Sequence, residues 1–200
     1  MSHANPGDGR RRFLTEALPA GALFCLGCRG LTAAVQKPGY LEDSGMTAEA
    51  VFRFSYEYLV PVLESMGKDV GREKLLELLK KGAAERYSRM VTAMAKGYPS
   101  RDLKSFVKMM DAMMAAVPIY RKAFAYEVTE LTDTVCETKY TVCLPAKLLR
   151  EMSEADIGYA LECSSSDPMV KAFDPRMSSS FLKNMMKGDS VCIERIVLAA

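Results

Sequence analysis

Thr47 is followed by apolar residues at Ala50, Val51, Phe54, Tyr58 and Leu59, a spacing that keeps one face of a helix apolar, with Thr47 placed to cap it. Pro61 is expected to bend this helix and Gly67 to end it. A second helix is predicted from about Arg72, carried by Leu75, Leu76, Leu79, Ala83, Tyr87 and Val91, and stopped by Gly97-Tyr98-Pro99-Ser100. A third runs from about Arg101 through Phe106 and Met110 to Val117-Pro118. The period then shortens from 3.6 to 2. Residues 123–131 and 135–143 alternate like strands, with Thr132-Asp133-Thr134 as the turn between them. Pro145 starts a helix bearing Leu148, Leu149 and Met152, and Ser153-Glu154-Ala155-Asp156 caps another that reaches about Leu161. Ser179–Met186 and Val191–Leu198 read as a hairpin closed by a tight turn at Lys187-Gly188-Asp189-Ser190. The order is that of an α+β protein: a helical layer first, then an antiparallel sheet interrupted by helices.

Composition narrows the chemistry. Two hundred residues suit one domain with one sizeable core, and a formal net charge of +2 leaves no nucleic-acid footprint. The chain holds one histidine, His3, ahead of residue 47 and of every predicted element. A serine or cysteine nucleophile served by a histidine base is therefore excluded from the folded part, as is a zinc site with histidine ligands. Fourteen methionines predict an adaptable interior, and the methionine and aromatic stripes of the helices read either as core packing or as the lining of a ligand pocket.

The first residues carry an address. Gly9-Arg10-Arg11-Arg12-Phe13-Leu14-Thr15 resembles a twin-arginine export signal, followed by an apolar stretch over Ala17–Leu26 and small residues at Thr32-Ala33-Ala34. The resemblance implies residues 1–34 as signal, 35–46 as linker and 47–200 as the folded domain. The export machinery would be a partner and the destination periplasmic or cell-envelope. Leu26-Gly27-Cys28 supplies the end of a lipobox, so lipid at Cys28 is the one membrane anchor the sequence offers; Cys25 and Cys28 also form a CxxC.

The thiols of the folded part are Cys136, Cys143, Cys163 and Cys192. Cys136 and Cys143 lie an odd number of residues apart on one predicted strand, so their side chains face opposite sides of the sheet. That leaves Cys143, Cys163 and Cys192 as a candidate group. Three states stay open for it: buried structural thiols, disulfides, or metal-binding or catalytic thiols. With Asp167 or Glu162 the three sulfurs have the composition of a mixed-ligand zinc site, of the kind found in 4-vinyl reductase-type binding domains. Gly188-Asp189 reads as turn chemistry, Glu194 as an isolated strand carboxylate, and Arg86, Arg89 and Lys96 as a solvated helix face.

Several of these pieces occur in an order seen elsewhere. Cys143-Leu144-Pro145-Ala146, then Cys163 with Asp167 four residues on, Phe173-Asp174-Pro175, and Met186-Lys187-Gly188-Asp189 with Cys192 and Glu194 are similar to the C-terminal half of the L-2-amino-thiazoline-4-carboxylate hydrolase family. The resemblance implies hydrolytic opening of a small cyclic amidine, with water added to the carbon between ring sulfur and nitrogen to give an S- or N-carbamoyl cysteine. The alternative on the same scaffold is an exported protein that binds a small molecule or zinc without turnover. In the hydrolytic reading Asp167 is the expected general base, and Cys143 or Cys163 the nucleophile. Lys183 or Lys187 is expected to hold the substrate carboxylate. Asp167 also has a plainer reading as a helix cap before Pro168.

Overall fold

The structure, a computed structural model, describes residues 45–199. The signal, the linker as far as Ser44, Cys25 and Cys28 lie outside the described residues. From Met46 onward the chain forms one unit.

Helix α1 (Ala48–Val70) begins where expected: the Thr47 hydroxyl accepts from the Ala50 amide at 3.1 Å. It does not end where expected. The helix runs through both Pro61 and Gly67 and stops at Gly71, whose φ of 87° is left-handed. Gly67 serves a crossing, not a terminus. A Cβ there would stand 3.2 Å from Leu75 Cδ2 on the next helix, so glycine lets the two axes approach. Helix α2 (Arg72–Ala95) follows at once, and Arg72 ties its first turn to Glu154 and Asp156. Asp102 caps α3 (Leu103–Ala116), accepting from the Ser105 amide at 2.7 Å. A short helix α4 (Pro118–Ala123), absent from the sequence reading, leads into the sheet.

Strands β1 (Phe124–Leu131) and β2 (Val135–Cys143) match the alternation that predicted them. They are followed by α5 (Leu144–Glu151), with Pro145 in its first turn, and by α6 (Ala155–Gly158). Helix α6 widens into a single π turn over Tyr159–Cys163, closed by the Ser164 amide on the Tyr159 carbonyl at 2.9 Å. Helix α7 (Ser166–Phe173), β3 (Met177–Lys183) and β4 (Cys192–Leu198) complete the order. The sheet runs β1-β2-β4-β3, every neighbouring pair antiparallel. Helices followed by an antiparallel sheet with helices between its strands make this an α+β fold. Among the described residues no helix is long and apolar enough to cross a membrane.

The expected tight hairpin turn is corrected. β3 stops at Lys183, and residues 184–191 form a longer connection containing a 3-10 turn, Met185–Lys187. Asn184 is its hub. Its side chain accepts from the Met186 amide at 2.8 Å, and its own amide donates to Asp189 Oδ2 at 2.7 Å. Gly188 supplies the left-handed residue, φ 107°. Met185 and Met186 resemble strand residues because they are apolar, but they are buried by folding back on the helices.

Among the described residues three apolar clusters form the interior, the smallest joining Leu63, Leu75 and Ile157. The first gathers Val91, Phe106, Met109, Cys136, Phe173 and Met177, between helices α2, α3 and α7 and the sheet. The second gathers Tyr56, Ala146, Leu148, Leu149, Met186 and Cys192, with Cys143 and Cys163 packed against it. Gly158 lies at the edge of the second. An added Cβ would stand 2.6 Å from Met186 Sδ and 3.0 Å from Leu149 Cδ1. Gly158→Ala is therefore expected to lower unfolding stability by about 1–3 kcal/mol, because Met186 must leave its buried site. Denaturant titration checks this; an unchanged midpoint would show that the site yields freely.

Candidate functional site

The end of β2, the first turns of α5 and the 184–191 connection enclose an open cleft of about 560 Å³, lined among others by Cys143, Ala146, Lys147, Arg150, Asp189 and Ser190. Cys143, Lys147 and Arg150 fall at i, i+4 and i+7, which puts them on one side of α5. Lys147 reaches both carboxylate oxygens of Glu49 at 2.8 Å, and Arg53 joins Glu49 to Glu151. Arg150 Nη1 donates to the Met185 carbonyl at 3.2 Å, pinning the connection to the helix. Glu151 also lines the cleft, so its wall carries two cations and two carboxylates.

Cys143 stands where β2 becomes α5, half-buried in the cleft wall. Burial pushes its thiol up to about 12; the Ala146 amide opposes this, while Cys192 and Glu162 reinforce it. Cys163 is also pushed up to about 12 by burial, against a hydrogen bond to Asn184 and with Cys143, Cys192 and Glu162 adding. Its thiol donates to Asn184 Oδ1 at 3.9 Å. Burial likewise raises Cys192, whose sulfur accepts from the Met185 amide at 3.2 Å. All four described cysteines are free thiols. Cys136 sits apart, enclosed in the first apolar cluster while Cys143 packs against the second; a bulge at Thr141 interrupts β2 between them, so the expected opposite facing from odd spacing does not apply.

The carboxylate that acts on both Cys143 and Cys163 is Glu162, whereas Glu194 and Asp189 act on Cys192. Glu162 comes from the π turn beside Cys163 and accepts from the Tyr56 hydroxyl at 3.1 Å. Burial raises its proton affinity, and the Tyr56 hydrogen bond and Arg86 only partly oppose this. A π turn admits one extra residue into a helix, and such turns recur at functional sites. Here Glu162 meets α1 while Cys163 meets the 184–191 connection. Burial, with Glu162 close by, holds the Tyr56 phenol protonated, and it pushes Tyr87 up to about 12.

Asp167 does not join them. It sits on α7, paired with Lys171 at 2.7 Å and accepting from the Ser179 amide at 3.0 Å, so its carboxylate fastens α7 to β3. The contacts of Asp167 are thus with α7 and β3, while Glu162 is held by Tyr56 of α1. Lys183 is exposed at the end of β3, and Lys187 lies 4.7 Å over the Tyr159 ring beside a second cleft of about 300 Å³. Neither lines the Cys143 cleft; Lys147 and Arg150 do. Among the described residues no group of three or more His, Cys, Asp or Glu is placed to hold a metal ion. The zinc site expected on Cys143, Cys163 and Cys192 therefore finds no ready ligand set.

Asn184 is a group the sequence reading passed over. Its Nδ2 is buried and has no partner among the described residues, while its Oδ1 is fixed by the Met186 amide and approached by the Cys163 thiol. Turning the amide over would forfeit the Met186 bond, so the unpaired donor is imposed by the fold.

Fold and site together define a small α+β domain with a histidine-free pairing of buried thiols and one carboxylate of raised proton affinity. A family profile described as L-2-amino-thiazoline-4-carboxylic acid hydrolase matches residues 51–195, and the chain belongs to that family. No curated protein sequence matches it. Among solved structures, the phenol-responsive sensory domain of the transcription activator PoxR with phenol superposes with a TM-score of 0.49 at 11% identity. That match covers 70% of this chain and 73% of the other.

Proposed function

We propose that the chain hydrolyses a small cyclic amidine of the 2-aminothiazoline-4-carboxylate type, bound in the cleft beside Cys143. The observation that carries this reading is the position of that thiol: it stands in the cleft wall, with Glu162 close enough to influence its ionisation. The substrate is a zwitterion, carboxylate at one end and protonated amidine at the other. Lys147 and Arg150 suit the first, Asp189 and Glu151 the second.

A thiol raised to about 12 leaves roughly one molecule in 10⁵ as thiolate at neutral pH, so Cys143 is inert in the free protein. A bound amidinium changes this, because a cation at van der Waals distance favours the thiolate. In the proposed step Glu162 takes the Cys143 proton as the sulfur attacks the amidinium carbon. The ring bond from that carbon then breaks, and the departing ring atom receives the proton. Water next displaces the Cys143 sulfur, leaving a carbamoyl group on the product and the thiol restored. The unpaired Asn184 Nδ2 is the donor available for negative charge that develops near Cys163.

Incubating the purified protein with 2-aminothiazoline-4-carboxylate tests the reading. Formation of carbamoyl cysteine, followed by chromatography, is the expected result. Stoichiometric binding without product would favour the binding-protein alternative, and neither binding nor product would remove this substrate class. Export by the twin-arginine route remains part of the proposal and rests on Arg10–Leu14; retention of a tagged full-length chain in the cytoplasm would count against it.

A further inference from the structure

A second open cleft, of about 300 Å³, is bounded by α2, α6 and the 184–191 connection, and the proposed reaction does not use it. Its apolar lining includes Leu76, Tyr159 and Met186, and its cations are Lys80 and Lys187. Leu76 and Lys80 are four residues apart on α2, so the helix presents one apolar and one cationic side chain to the same side. Lys187 holds its ammonium 4.7 Å over the Tyr159 ring. Both lysines are exposed, and neither has an ion-pair partner among the described residues. The acids nearby are taken. Asp156, also in the wall, is gripped by Arg72, whose Nε donates to Oδ2 at 2.9 Å. Glu77, three residues before Lys80, pairs with Lys74 at 2.7 Å.

We infer that this cleft binds a small carboxylate with an apolar body as an effector, and that its occupant acts on the Cys143 cleft through the 185–187 turn. Charge sets the class. Two ammonium groups without a carboxylate partner suit a monoanion, and the cleft has no untied acid for the amidinium of the zwitterion proposed at Cys143. Volume sets the size, since about 300 Å³ is the lower end for small-molecule sites and fits a ligand of one ring. The turn supplies the link. Met185 lines the Cys143 cleft and is tied to α5 by Arg150, whereas the next two residues, Met186 and Lys187, line the second cleft. The turn has little slack, because Met186 packs so close that a Cβ on Gly158 would stand 2.6 Å from its sulfur. Tyr159, beneath Lys187, is the first residue of the π turn that carries Glu162 and Cys163. A carboxylate that draws in Lys187 therefore fixes the turn against the π turn, and with it a wall of the Cys143 cleft. The regulatory meaning rests on the proposed reaction; the binding and the coupling do not.

Calorimetric titration of the full-length chain with benzoate, at constant ionic strength, tests the site. One benzoate per chain is expected to bind, about tenfold or more weaker in Lys187→Ala and in Lys80→Ala, with affinity kept in Lys187→Arg. Lys147→Ala should leave it unchanged, because that lysine lines the other cleft. Benzylamine, the same ring with the opposite charge, is expected not to bind. Coupling is read at Cys143 by mass spectrometry. Saturating benzoate should slow its alkylation by iodoacetamide about fivefold at a fixed alkaline pH, and the effect should vanish in Lys187→Ala. No benzoate binding, or binding lost in Lys147→Ala but kept in Lys187→Ala, overturns the site. Binding that needs Lys80 and Lys187 but leaves the Cys143 rate unchanged overturns the coupling. A chain that opens no ring still gives each of these results, so failure here and failure of the proposed reaction are told apart.

Discussion

Cys143→Ala is expected to lower kcat for ring opening by about a thousandfold or more while leaving the melting temperature within a few degrees of the parent. The magnitude follows from removing a nucleophile whose loss stops the covalent step outright. The small stability effect follows from position: Cys143 is half-buried at the cleft wall and its backbone, not its sulfur, joins β2 to α5. The comparison that gives the result meaning is Cys163→Ala. That sulfur is also raised to about 12, but its contact is Asn184 and it does not line the cleft. The expected outcome is a modest loss for Cys163→Ala against near-complete loss for Cys143→Ala. Equal losses would mean that the thiols act as one unit, and full activity in Cys143→Ala would leave water attacking directly under a carboxylate base. Alkylation supplies an independent readout. Iodoacetamide is neutral, so it should label Cys143 slowly near neutral pH and faster as the pH climbs toward 12.

Much of the architecture follows from local patterns, and the departures have physical causes. The strands at 124–131 and 135–143 were legible because two alternating stretches meet at the Thr132-Asp133-Thr134 turn, and on β2 Cys136 and Thr138 are buried between half-buried neighbours. Thr47 announces a helix start through a side chain that bonds the first free amides, as Asp102, not singled out in the sequence, does for α3. Gly67 read as a stop and Pro61 as a bend because punctuation is a local signal, whereas α1 is held by packing along its buried face. Asp167 read as a cap before Pro168, but α7, whose Val170 and Phe173 are buried, opens at Ser166 and takes Asp167 into its first turn. That shift of the helix start also explains where the carboxylate goes. Asp167, placed on a helix, finds Lys171 one turn away and the Ser179 amide across from it. Glu162, one residue before Cys163, is turned toward the Tyr56 hydroxyl by a π turn that no periodicity reveals. The cations were more accessible. Lys147 and Arg150 stand at i+4 and i+7 from Cys143 on a helix that Pro145 had already marked.

Glu162→Gln is expected to lower kcat by about a hundredfold or more and, at the same time, to make the protein more stable above the ordinary carboxylate range. The two effects come from one cause. Burial raises the proton affinity of Glu162 in the folded chain, with the Tyr56 hydroxyl and Arg86 only partly opposing it. Between the unfolded and the folded pKa the folded state holds more protons than the unfolded one, so stability falls as pH rises through that window and stays reduced above it. Below the unfolded pKa both states are protonated and the penalty vanishes. Glutamine keeps the shape and can still meet the Tyr56 hydroxyl, but it never carries the buried charge. Denaturation midpoints of the two proteins should therefore converge under acid conditions and separate as the pH is raised, with the variant ahead. Coincident curves at every pH would mean that Glu162 is solvated well enough to ionise without penalty, and it would then lack the raised basicity asked of a proton acceptor for Cys143. A variant that is less stable at all pH values would instead assign the carboxylate a structural bond to Tyr56 that the amide cannot replace. The same pair of proteins separates chemistry from packing in turnover: loss of kcat with a raised midpoint is the signature of a group kept for reaction at the expense of the fold.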